Sequence, residues 1–360
     1  MTKENKRLIF IISSSIAGGG QVYLYNIIKY LKNDYSLLLI CPEGYLYDRV
    51  KALSGIDIIA LNIDFFHLKA LRRIIRDEAV KYGQVGVNAH LLSTGLWTKI
   101  ALHELPGVRY VVTLHNKVIY NDIKWYKRIL YPLFIKYISI SDCSFVAVSQ
   151  EIAYSVFKYT GKNCDYIPSS VPIEYPPKNV DSKNLLQDVL IGFVGRLSKL
   201  KNPIRFVEMA KLIMEKAPSA RFVIIGDGED REIVEKTIYD NGLSQVIEMK
   251  GFVSNPGPEM RKLDVLVISS DSEGTPLVLL ESMSYGIPTV STRVGAIPLV
   301  VDNGIDGILC DCSASSLAGG VLDLISNINR YTSISINGFK KIEETYNYQK
   351  NIEHYLRLLL

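Results

Sequence analysis

Two glutamates, Glu273 and Glu281, lie eight positions apart across a predicted junction between a loop and a helix. Gly274 permits an unusual backbone angle, and Pro276 suits the first turn of a helix because its missing N–H removes no helical hydrogen bond. The apolar residues after Thr275 predict a helix whose N-terminus presents unpaired N–H groups and the positive end of a dipole, which suits a phosphate. On that helix the Glu281 carboxylate would need a partner such as a ribose diol. These residues indicate a nucleotide-sugar site; the alternative is that one glutamate caps the helix and the other is solvated.

Two cations follow an apolar run earlier in the chain. Residues 189–194 predict a short strand, and the turn at 195–203 carries Arg196 and Lys201 before a helical pattern begins. Arginine supplies a planar fork of donors and lysine a compact charge, so both could neutralise a leaving diphosphate at the carboxyl end of a strand. The alternative is that both are solvated surface charges.

Together these runs resemble the glycosyltransferases of the GT-B fold, specifically glycosyltransferase family 4 (glycosyltransferase group 1). The resemblance extends over most of the chain and rests on the order and spacing of short motifs: AGGG at 17–20, TLH at 113–115, GRLSKLKNP at 195–203, IIGDGED at 224–230, KGFVSN at 250–255, the E-x7-E run, and GIPTVSTRVGAIPLVVDNGIDGIL at 286–309. It implies an α/β protein of two Rossmann-like domains whose parallel sheets face an interdomain cleft. Residues 1–170 would bind the acceptor and 171–346 the nucleotide sugar, with a C-terminal helix at 347–360 packing back on the first domain.

The resemblance also implies roles for individual residues. Arg196 and Lys201 would bind the donor diphosphate, Glu273 would hold hydroxyls of the transferred sugar, and Glu281 would hold the ribose hydroxyls. His115 would lie beside the donor sugar. Further donor contacts, largely through the backbone, are implied for Gly18, Gly19, Gly20, Gly195, Gly274, Thr275, Pro276 (which has no N–H to offer) and Leu277, and for Phe252 and Val253 beside a uracil or guanine base.

The implied function is a retaining transfer of a hexose-type sugar from a UDP- or GDP-sugar to a glycan or lipid-linked acceptor, in cell-surface polysaccharide biosynthesis. Arg196, Lys201 and the helix N-terminus would stabilise the leaving diphosphate, so no metal or other cofactor is expected. The sequence contains no Asp-x-Asp motif. Because Glu273 is assigned to sugar binding, the resemblance favours front-face attack, with the leaving phosphate accepting the acceptor's proton, over an enzyme nucleophile.

Other functions remain open. A nonhydrolysing nucleotide-sugar epimerase shares this architecture but needs acid–base carboxylates between its domains, and a binding-only nucleotide-sugar protein needs no catalytic group. A nicotinamide dehydrogenase is poorly supported, because Tyr23 occupies the position of the last glycine in G-x-G-x-x-G. His115 and His90 both end apolar runs, and either could be a hydrogen-bonded structural histidine.

Length and pattern indicate two α/β domains. The 360 residues exceed the size at which one core stops growing, and alternating strand and helix patterns favour parallel sheets. A proline-rich segment at 167–177 predicts the hinge. Five scattered cysteines favour free thiols in a reducing, cytoplasmic compartment. Strands are predicted at 7–13, 36–41, 56–61, 85–89, 109–114, 144–148, 189–194, 221–226, 246–249, 264–268, 288–291 and 307–309.

Positive charge is concentrated in the first half, where residues 1–170 hold 21 Lys and Arg against 13 Asp and Glu. Residues 124–137 mix cations with aromatic side chains, and one face of a predicted helix carries Lys69, Arg72, Arg73 and Arg76. Such surfaces can adsorb to anionic lipid, here at the inner face of the plasma membrane; ordinary solvated helices are the alternative. Nucleic acid is not an expected partner, and no run approaches the length of a transmembrane helix.

Overall fold

The structure is a computed structural model that describes residues 6–16, 18–119, 124–140, 142–173, 175–178 and 184–360. It divides the chain into two compact units. Unit 1 consists of Met1–Ser169 together with Gln349–Leu360, and unit 2 consists of Ser170–Tyr348. Elements are numbered in chain order. Ala17, which belongs to the predicted glycine loop, lies outside the described residues.

Within the described residues, unit 1 is a seven-stranded sheet with helices between its strands. Its strands are β1 (Arg7–Ile12), β2 (Ser36–Cys41), β3 (Ile56–Ala60), β4 (Val85–His90), β5 (Val108–Leu114), β6 (Cys143–Ala147) and β7 (Asp165–Tyr166). Its helices are α1 (Gly19–Leu31), α2 (Tyr45–Lys51), a short 3-10 helix (Phe65–His67), α3 (Leu68–Tyr82), α4 (Leu92–Ala101), α5 (Trp125–Ser139), α6 (Gln150–Thr160) and the chain's last helix α14 (Tyr348–Leu359).

Over its described residues, unit 2 is a six-stranded sheet. Its strands are β8 (Leu190–Val194), β9 (Arg221–Ile225), β10 (Ile247–Gly251), β11 (Val265–Ile268), β12 (Thr289–Thr292) and β13 (Ile308–Cys310). Its helices are α7 (Pro203–Met214), α8 (Arg231–Asp240), α9 (Gly257–Met260), α10 (Leu277–Ser284), α11 (Ile297–Val300), α12 (Ala314–Ile325) and α13 (Ile328–Glu344).

Both sheets reverse their strand order once. Unit 1 has the order β3-β2-β1-β4-β5-β6-β7 and unit 2 the order β10-β9-β8-β11-β12-β13, with neighbouring strands parallel throughout. The reversal falls between β1 and β4 in unit 1 and between β8 and β11 in unit 2. In open parallel sheets, ligands bind outside the carboxyl ends of the strands at such a switch point.

The inner strands of each sheet are largely apolar on both faces because helices cover both sides of the sheet, whereas the edge strands β3 and β10 carry exposed residues. All six residues of β1 are buried. Side chains alternate along β9. Phe222 and Ile224 pack in one hydrophobic cluster, and Val223 and Ile225 pack in a second cluster on the opposite face of the sheet. Near-continuous apolar runs are therefore required here, and they are the signal that made these strands predictable.

The predicted architecture of two parallel α/β sheets is confirmed. Each predicted strand corresponds to an observed one to within two residues at either end. The structure adds β7, a two-residue strand that is too short to produce a periodic pattern.

Candidate functional site

Two loops meet at the switch point of unit 2. Residues 195–202 follow β8 and residues 269–276 follow β11, and these strands are neighbours in the sheet. The Ser269 hydroxyl donates hydrogen bonds to the carbonyl oxygens of Lys201 (3.1 Å) and Asn202 (2.9 Å). The two loops that carry the predicted site residues are therefore fastened to each other.

Lys201 and Glu273 form an ion pair where these loops meet. The Nζ atom of Lys201 lies 2.6 Å from Oε1 and 2.7 Å from Oε2 of Glu273. The side chain of Glu273 is 6% exposed and that of Lys201 is 29% exposed. Ser270, which is buried, also donates a hydrogen bond to Oε1 at 2.6 Å. The carboxylate thus fixes the ammonium in a position that solvent, or a ligand, can still reach.

A second pair of charges supports the same loops. Arg205 of α7 donates to the carbonyl oxygen of Ser269 at 2.6 Å and to Oδ1 of Asp271 at 2.7 Å. Asn202 donates to the other Asp271 oxygen at 3.1 Å, and its own side chain caps α7 from a left-handed backbone conformation (φ 47°). The sequence does not mark Ser270 or Arg205, because a loop serine and a helix arginine are common and only the tertiary contact reveals their role.

Two glycines of unit 2 permit close approach of the backbone to site residues. A Cβ atom at Gly295 (φ 54°) would lie 1.8 Å from the carbonyl oxygen of Glu273, which also accepts a hydrogen bond from Ala296 N at 3.1 Å. A Cβ at Gly226 (φ 142°) would lie 1.8 Å from the carbonyl oxygen of Gly195. These positions can hold only glycine, and both fall inside motifs quoted above without a role.

The structure corrects two details at the N-terminus of α10. Gly274 does not have a left-handed φ, and a Cβ atom there would meet nothing within 4 Å, so no backbone angle demands glycine. The helix begins at Leu277, with Pro276 as an extended N-cap (φ −71°, ψ 123°) instead of a first-turn residue, and Thr275 is half-buried before it. No described side chain caps this end, and the amide of Leu279 donates to the Pro276 carbonyl oxygen at 3.1 Å. The N–H groups of Leu277 and Val278, the first two of the helix, are therefore the ones placed to bind a ligand or water.

The other predicted donor-binding residues of unit 2 lie around these loops. Arg196 is exposed, and its Nε lies 3.0 Å from Oε2 of Glu229, so it pairs there and not with Glu273. Glu281 is half-buried on α10. Phe252 is exposed and Val253 half-buried, both directly after β10.

Unit 1 places two histidines at the carboxyl ends of neighbouring strands. Nδ1 of His90 lies 3.0 Å from Nε2 of His115, and the rings stack with centroids 5.3 Å apart. Burial lowers the pKa of His115 to about 4. Burial, together with the nearby His115, holds the pKa of His90 well below its usual value. Both rings are therefore neutral at pH 7 and share one N–H···N hydrogen bond.

A buried tyrosine of α14 sets the direction of that bond. The Tyr355 hydroxyl donates to Oδ1 of Asn88 at 2.6 Å and lies 3.4 Å from Nε2 of His90. Because its one proton is used on Asn88, the tyrosine oxygen accepts from His90 Nε2–H. His90 Nδ1 then accepts from Nε2–H of His115, which leaves Nδ1 of His115 with a lone pair.

The glycine loop lies in the same corner of unit 1. Gly18 is the extended N-cap of α1, without a capping side chain among the described residues, and Gly19 begins the helix. A Cβ at Gly20 would lie 3.4 Å from the ring of His115, and Tyr23 packs edge-on against that ring at 5.2 Å. The predicted loop and His115 are thus brought together at the unit 1 switch point.

Leu91, directly after His90, has a strained backbone. Its φ of 78° is rare for a bulky side chain and costs on the order of 1–3 kcal/mol. Its amide donates to the carbonyl oxygen of Thr113 at 3.0 Å. Strained backbone of this kind clusters at functional sites. No feature of the sequence predicts the strained angle of Leu91.

Comparisons with known proteins identify relatives of this chain. Residues 178–341 match the family model described as "Glycosyl transferases group 1". The chain is 27% identical over 346 residues to the UDP-Gal:alpha-D-GlcNAc-diphosphoundecaprenol alpha-1,3-galactosyltransferase of Escherichia coli, covering 89% of this chain and 87% of that relative. It is 30% identical over 173 residues to an alpha-1,4-N-acetyl-D-galactosaminyltransferase of Campylobacter jejuni, whose named substrate is a diNAcBac-PP-undecaprenol glycan, over 47% of each chain.

Among solved structures, HepE of Anabaena in complex with UDP superposes with a TM-score of 0.81 at 16% identity, covering 98% of this chain and 99% of that one. The family match lies wholly within unit 2. The structural likeness extends over both units.

Proposed function

We propose that this chain, whose residues 178–341 match the group 1 glycosyltransferase family model and whose fold is GT-B, transfers a hexose-type sugar from a nucleotide sugar to a lipid-linked glycan, with retention of anomeric configuration. The observation that carries the proposal is the Lys201–Glu273 pair at the switch point of unit 2. Lys201 lies in the loop after β8, and Glu273 lies in the loop that leads to the N-terminus of α10, which no described side chain caps. A partly exposed cation and free helix N–H groups are what a diphosphate leaving group requires.

The proposed donor is a UDP-sugar, with a GDP-sugar as the alternative. The E. coli relative is named for UDP-Gal, and the Anabaena structure holds UDP. Phe252 and Val253, at the end of β10, are proposed to border the base, and Glu281 to hold the ribose hydroxyls from α10. The proposed acceptor is a lipid-linked glycan, because two relatives are named for undecaprenol-linked glycans. The proposed compartment of the reaction is the cytoplasm.

In the proposed mechanism, the bond between the anomeric carbon and the diphosphate oxygen breaks as the acceptor hydroxyl approaches the same face of the sugar. The leaving phosphate oxygen takes the acceptor's proton. Lys201, Arg196 and the N–H groups of α10 stabilise the growing negative charge, and no metal is required for that step. Glu273 accepts hydrogen bonds from hydroxyls of the sugar.

For unit 1 we propose that it binds the acceptor, and that His115 and the Gly18–Gly20 loop at its switch point contact the sugar and diphosphate of the donor. The lone pair on Nδ1 of His115 offers an acceptor, and the N–H groups of Gly19 and Gly20 at the start of α1 offer donors in the same corner. A neutral imidazole suits a hydroxylated substrate, since it binds a hydroxyl without forming an ion pair with a phosphate.

Thermal unfolding with a panel of nucleotides tests the donor proposal. UDP, GDP and their sugars are added without metal and then with magnesium, and a ligand that binds only the native state raises the midpoint with its concentration. We expect UDP compounds to act selectively and without metal. Glu281→Ala should abolish most of this shift, whereas the matched control Glu208→Ala, on the exposed side of α7, should preserve it.

Product analysis separates the remaining functions. A transferase releases UDP and forms an α-linked product only when acceptor is present. An epimerase would convert the UDP-sugar without acceptor, and a binding-only protein would be stabilised without any turnover. A β-linked product would overturn the retaining mechanism.

A further inference from the structure

Helix α5 of unit 1 turns an apolar face to solvent. Trp125, Ile129 and Leu133 recur every fourth residue, with exposures of 76%, 60% and 58%. Tyr126, Leu130, Tyr137 and Ile140 widen this exposed face. The opposite side of the helix carries the residues that are buried against unit 1, Ile135, Ile138 and Ser139. We call the exposed set, residues 125, 126, 129, 130, 133, 137 and 140, the α5 face.

Helix α3, the other basic helix of the same unit, has the opposite orientation. On α3 the apolar Leu71 and Ile75 are buried, and the cations Lys69, Arg73 and Arg76 are exposed, as in an ordinary amphipathic helix. The two basic segments singled out in the sequence therefore differ: one is a solvated helix, and the other exposes its apolar residues. A contiguous exposed apolar surface of this kind marks an interaction site.

The charges around the α5 face indicate what covers it. Lys124, Lys127, Arg128 and Lys136 lie on or beside this helix, and residues 124–140 contain no Asp or Glu. Cations attract anionic headgroups, and Trp and Tyr rings favour the boundary between headgroups and hydrocarbon. A second copy of the chain would bring the same cations against one another, which disfavours a dimer through this face.

We infer that the α5 face docks unit 1 onto an anionic lipid surface. The apolar side chains would enter the headgroup layer while the surrounding lysines and arginine contact lipid phosphates. This docking differs from insertion across the membrane. No helix in the described part of the chain is long and apolar enough to cross a membrane. The inference rests on α5 alone and not on the proposed donor or acceptor, so its failure would leave the transferase proposal intact.

Tryptophan fluorescence gives a direct test, because the chain contains only two tryptophans, Trp97 and Trp125. In a Trp97→Phe protein, Trp125 is the sole reporter. We expect vesicles of mixed phosphatidylcholine and phosphatidylglycerol to shift its emission to the blue and lipids with brominated chains to quench it. Vesicles of phosphatidylcholine alone should have a much weaker effect. Sedimentation with the same vesicles measures the partition coefficient of the otherwise unmodified chain.

Substitutions assign the effect to the α5 face. Ile129→Ser with Leu133→Ser should weaken partitioning about tenfold or more, because two half-exposed aliphatic side chains lose their burial in lipid. The matched control Ile233→Ser with Tyr239→Ser removes exposed apolar groups from α8 of unit 2 and should leave partitioning unchanged. Lys136→Gln should weaken binding about fivefold, and only to the anionic vesicles.

Three results would overturn the inference. One is an unshifted, unquenched Trp125 with anionic vesicles. Another is a loss of vesicle binding in the α8 control that equals the loss in the Ile129→Ser with Leu133→Ser variant. The third is a lipid-free dimer that Ile129→Ser with Leu133→Ser converts to monomer while vesicle binding is absent, which would assign the α5 face to a second copy of the chain.

Discussion

Lys201 and Glu273 depend on each other for stability as well as for their proposed roles. The Glu273 carboxylate is nearly buried, so removing Lys201 leaves it with the hydrogen bond from the Ser270 hydroxyl but without a positive charge beside it. We expect Lys201→Met to lower kcat/KM for the nucleotide sugar by about 100-fold or more. It should also lower the free energy of unfolding by about 1–3 kcal/mol, because a charge is left poorly compensated.

The double variant Lys201→Met with Glu273→Gln separates these two effects. Neutralising both partners removes the buried charge, so urea denaturation should show most of the lost stability restored. Activity should stay low, since neither cation nor carboxylate is present. If the double variant regained turnover, the pair would be a structural ion pair and not part of the transfer site.

His115 should make the stability of unit 1 depend on pH. Its pKa is about 4 in the folded protein and about 6.5 when unfolded, so between these values the unfolded chain binds a proton that the folded chain does not. Stability is therefore lost as pH falls from about 6.5 towards 4, by at most about 1.4 kcal/mol per pH unit for this group. The buried His90 adds a dependence of the same sign.

Urea denaturation of the wild type and His115→Gln between pH 7.5 and 5 checks this expectation. Glutamine keeps a hydrogen-bonding side chain but does not titrate, so the variant should lose less stability on acidification. Identical slopes for the two proteins would mean that His115 is protonated in the folded state and that its ring is more hydrated than the structure indicates.

The loop after β12 packs against the loop after β11 at Gly295, beside the hydrogen bond from Ala296 N to the Glu273 carbonyl oxygen. Gly295→Ala would force a left-handed alanine and a 1.8 Å approach to the Glu273 carbonyl oxygen, so the loop must move. The backbone strain alone costs roughly 1–2 kcal/mol, and Glu273 would shift with the loop. We expect lower stability by urea denaturation together with a loss of kcat.

Gly319→Ala provides the matched control for that substitution. Gly319 lies within α12, and a Cβ atom there meets nothing within 4 Å. Alanine should therefore stabilise the helix by about 0.5–1 kcal/mol without affecting activity. A Gly295→Ala protein as stable and active as this control would show that the two loops move independently.

The elements that sequence predicts well are those whose local pattern matches their final environment. Strand β1 from Leu8 onward and the whole of β8 are continuous apolar runs because both faces of each sheet are covered, and turn residues bound them. The start of α10 was less predictable. Proline suits both the first turn and the N-cap, and the choice of Pro276 as N-cap depends on how the loop packs.

The candidate site was predictable only in part, for a related reason. Lys201 and Glu273 stand out because each lies in a loop between the carboxyl end of a predicted strand and the start of a predicted helix, where ligands of parallel sheets bind. Ser270, Leu91 and Tyr355 do not. Ser270 contacts Glu273 only three residues away, but a serine in a loop is too common to indicate that contact. Leu91 acts through its backbone angle, and Tyr355 contacts Asn88, which is far along the chain. No local pattern encodes such contacts, and they became visible only in the folded structure.

At the level of the whole chain, each unit has its own sheet and its own core, but only unit 2 is continuous in sequence. Unit 1 is completed by Gln349–Leu360, at the far end of the chain. The buried Tyr355 hydroxyl contacts Asn88 at 2.6 Å and Thr113 at 3.1 Å, and the Leu359 carbonyl oxygen packs against Gly86. The last segment of the chain therefore supports β4 and β5, the strands that end at the two histidines.

Deleting residues 349–360 should accordingly destabilise unit 1 and spare unit 2. We expect hydrogen exchange to accelerate in β4 and β5 while β8 and β11 keep their protection, because only the former lose buried contacts. Tyr355→Phe is a smaller change at the same contact. Losing the hydroxyl should lower the free energy of opening of the same strands by about 1–2 kcal/mol. Equal loss of protection in all four strands would show instead that the two units unfold as one cooperative body, so that α14 stabilises both sheets and not unit 1 alone.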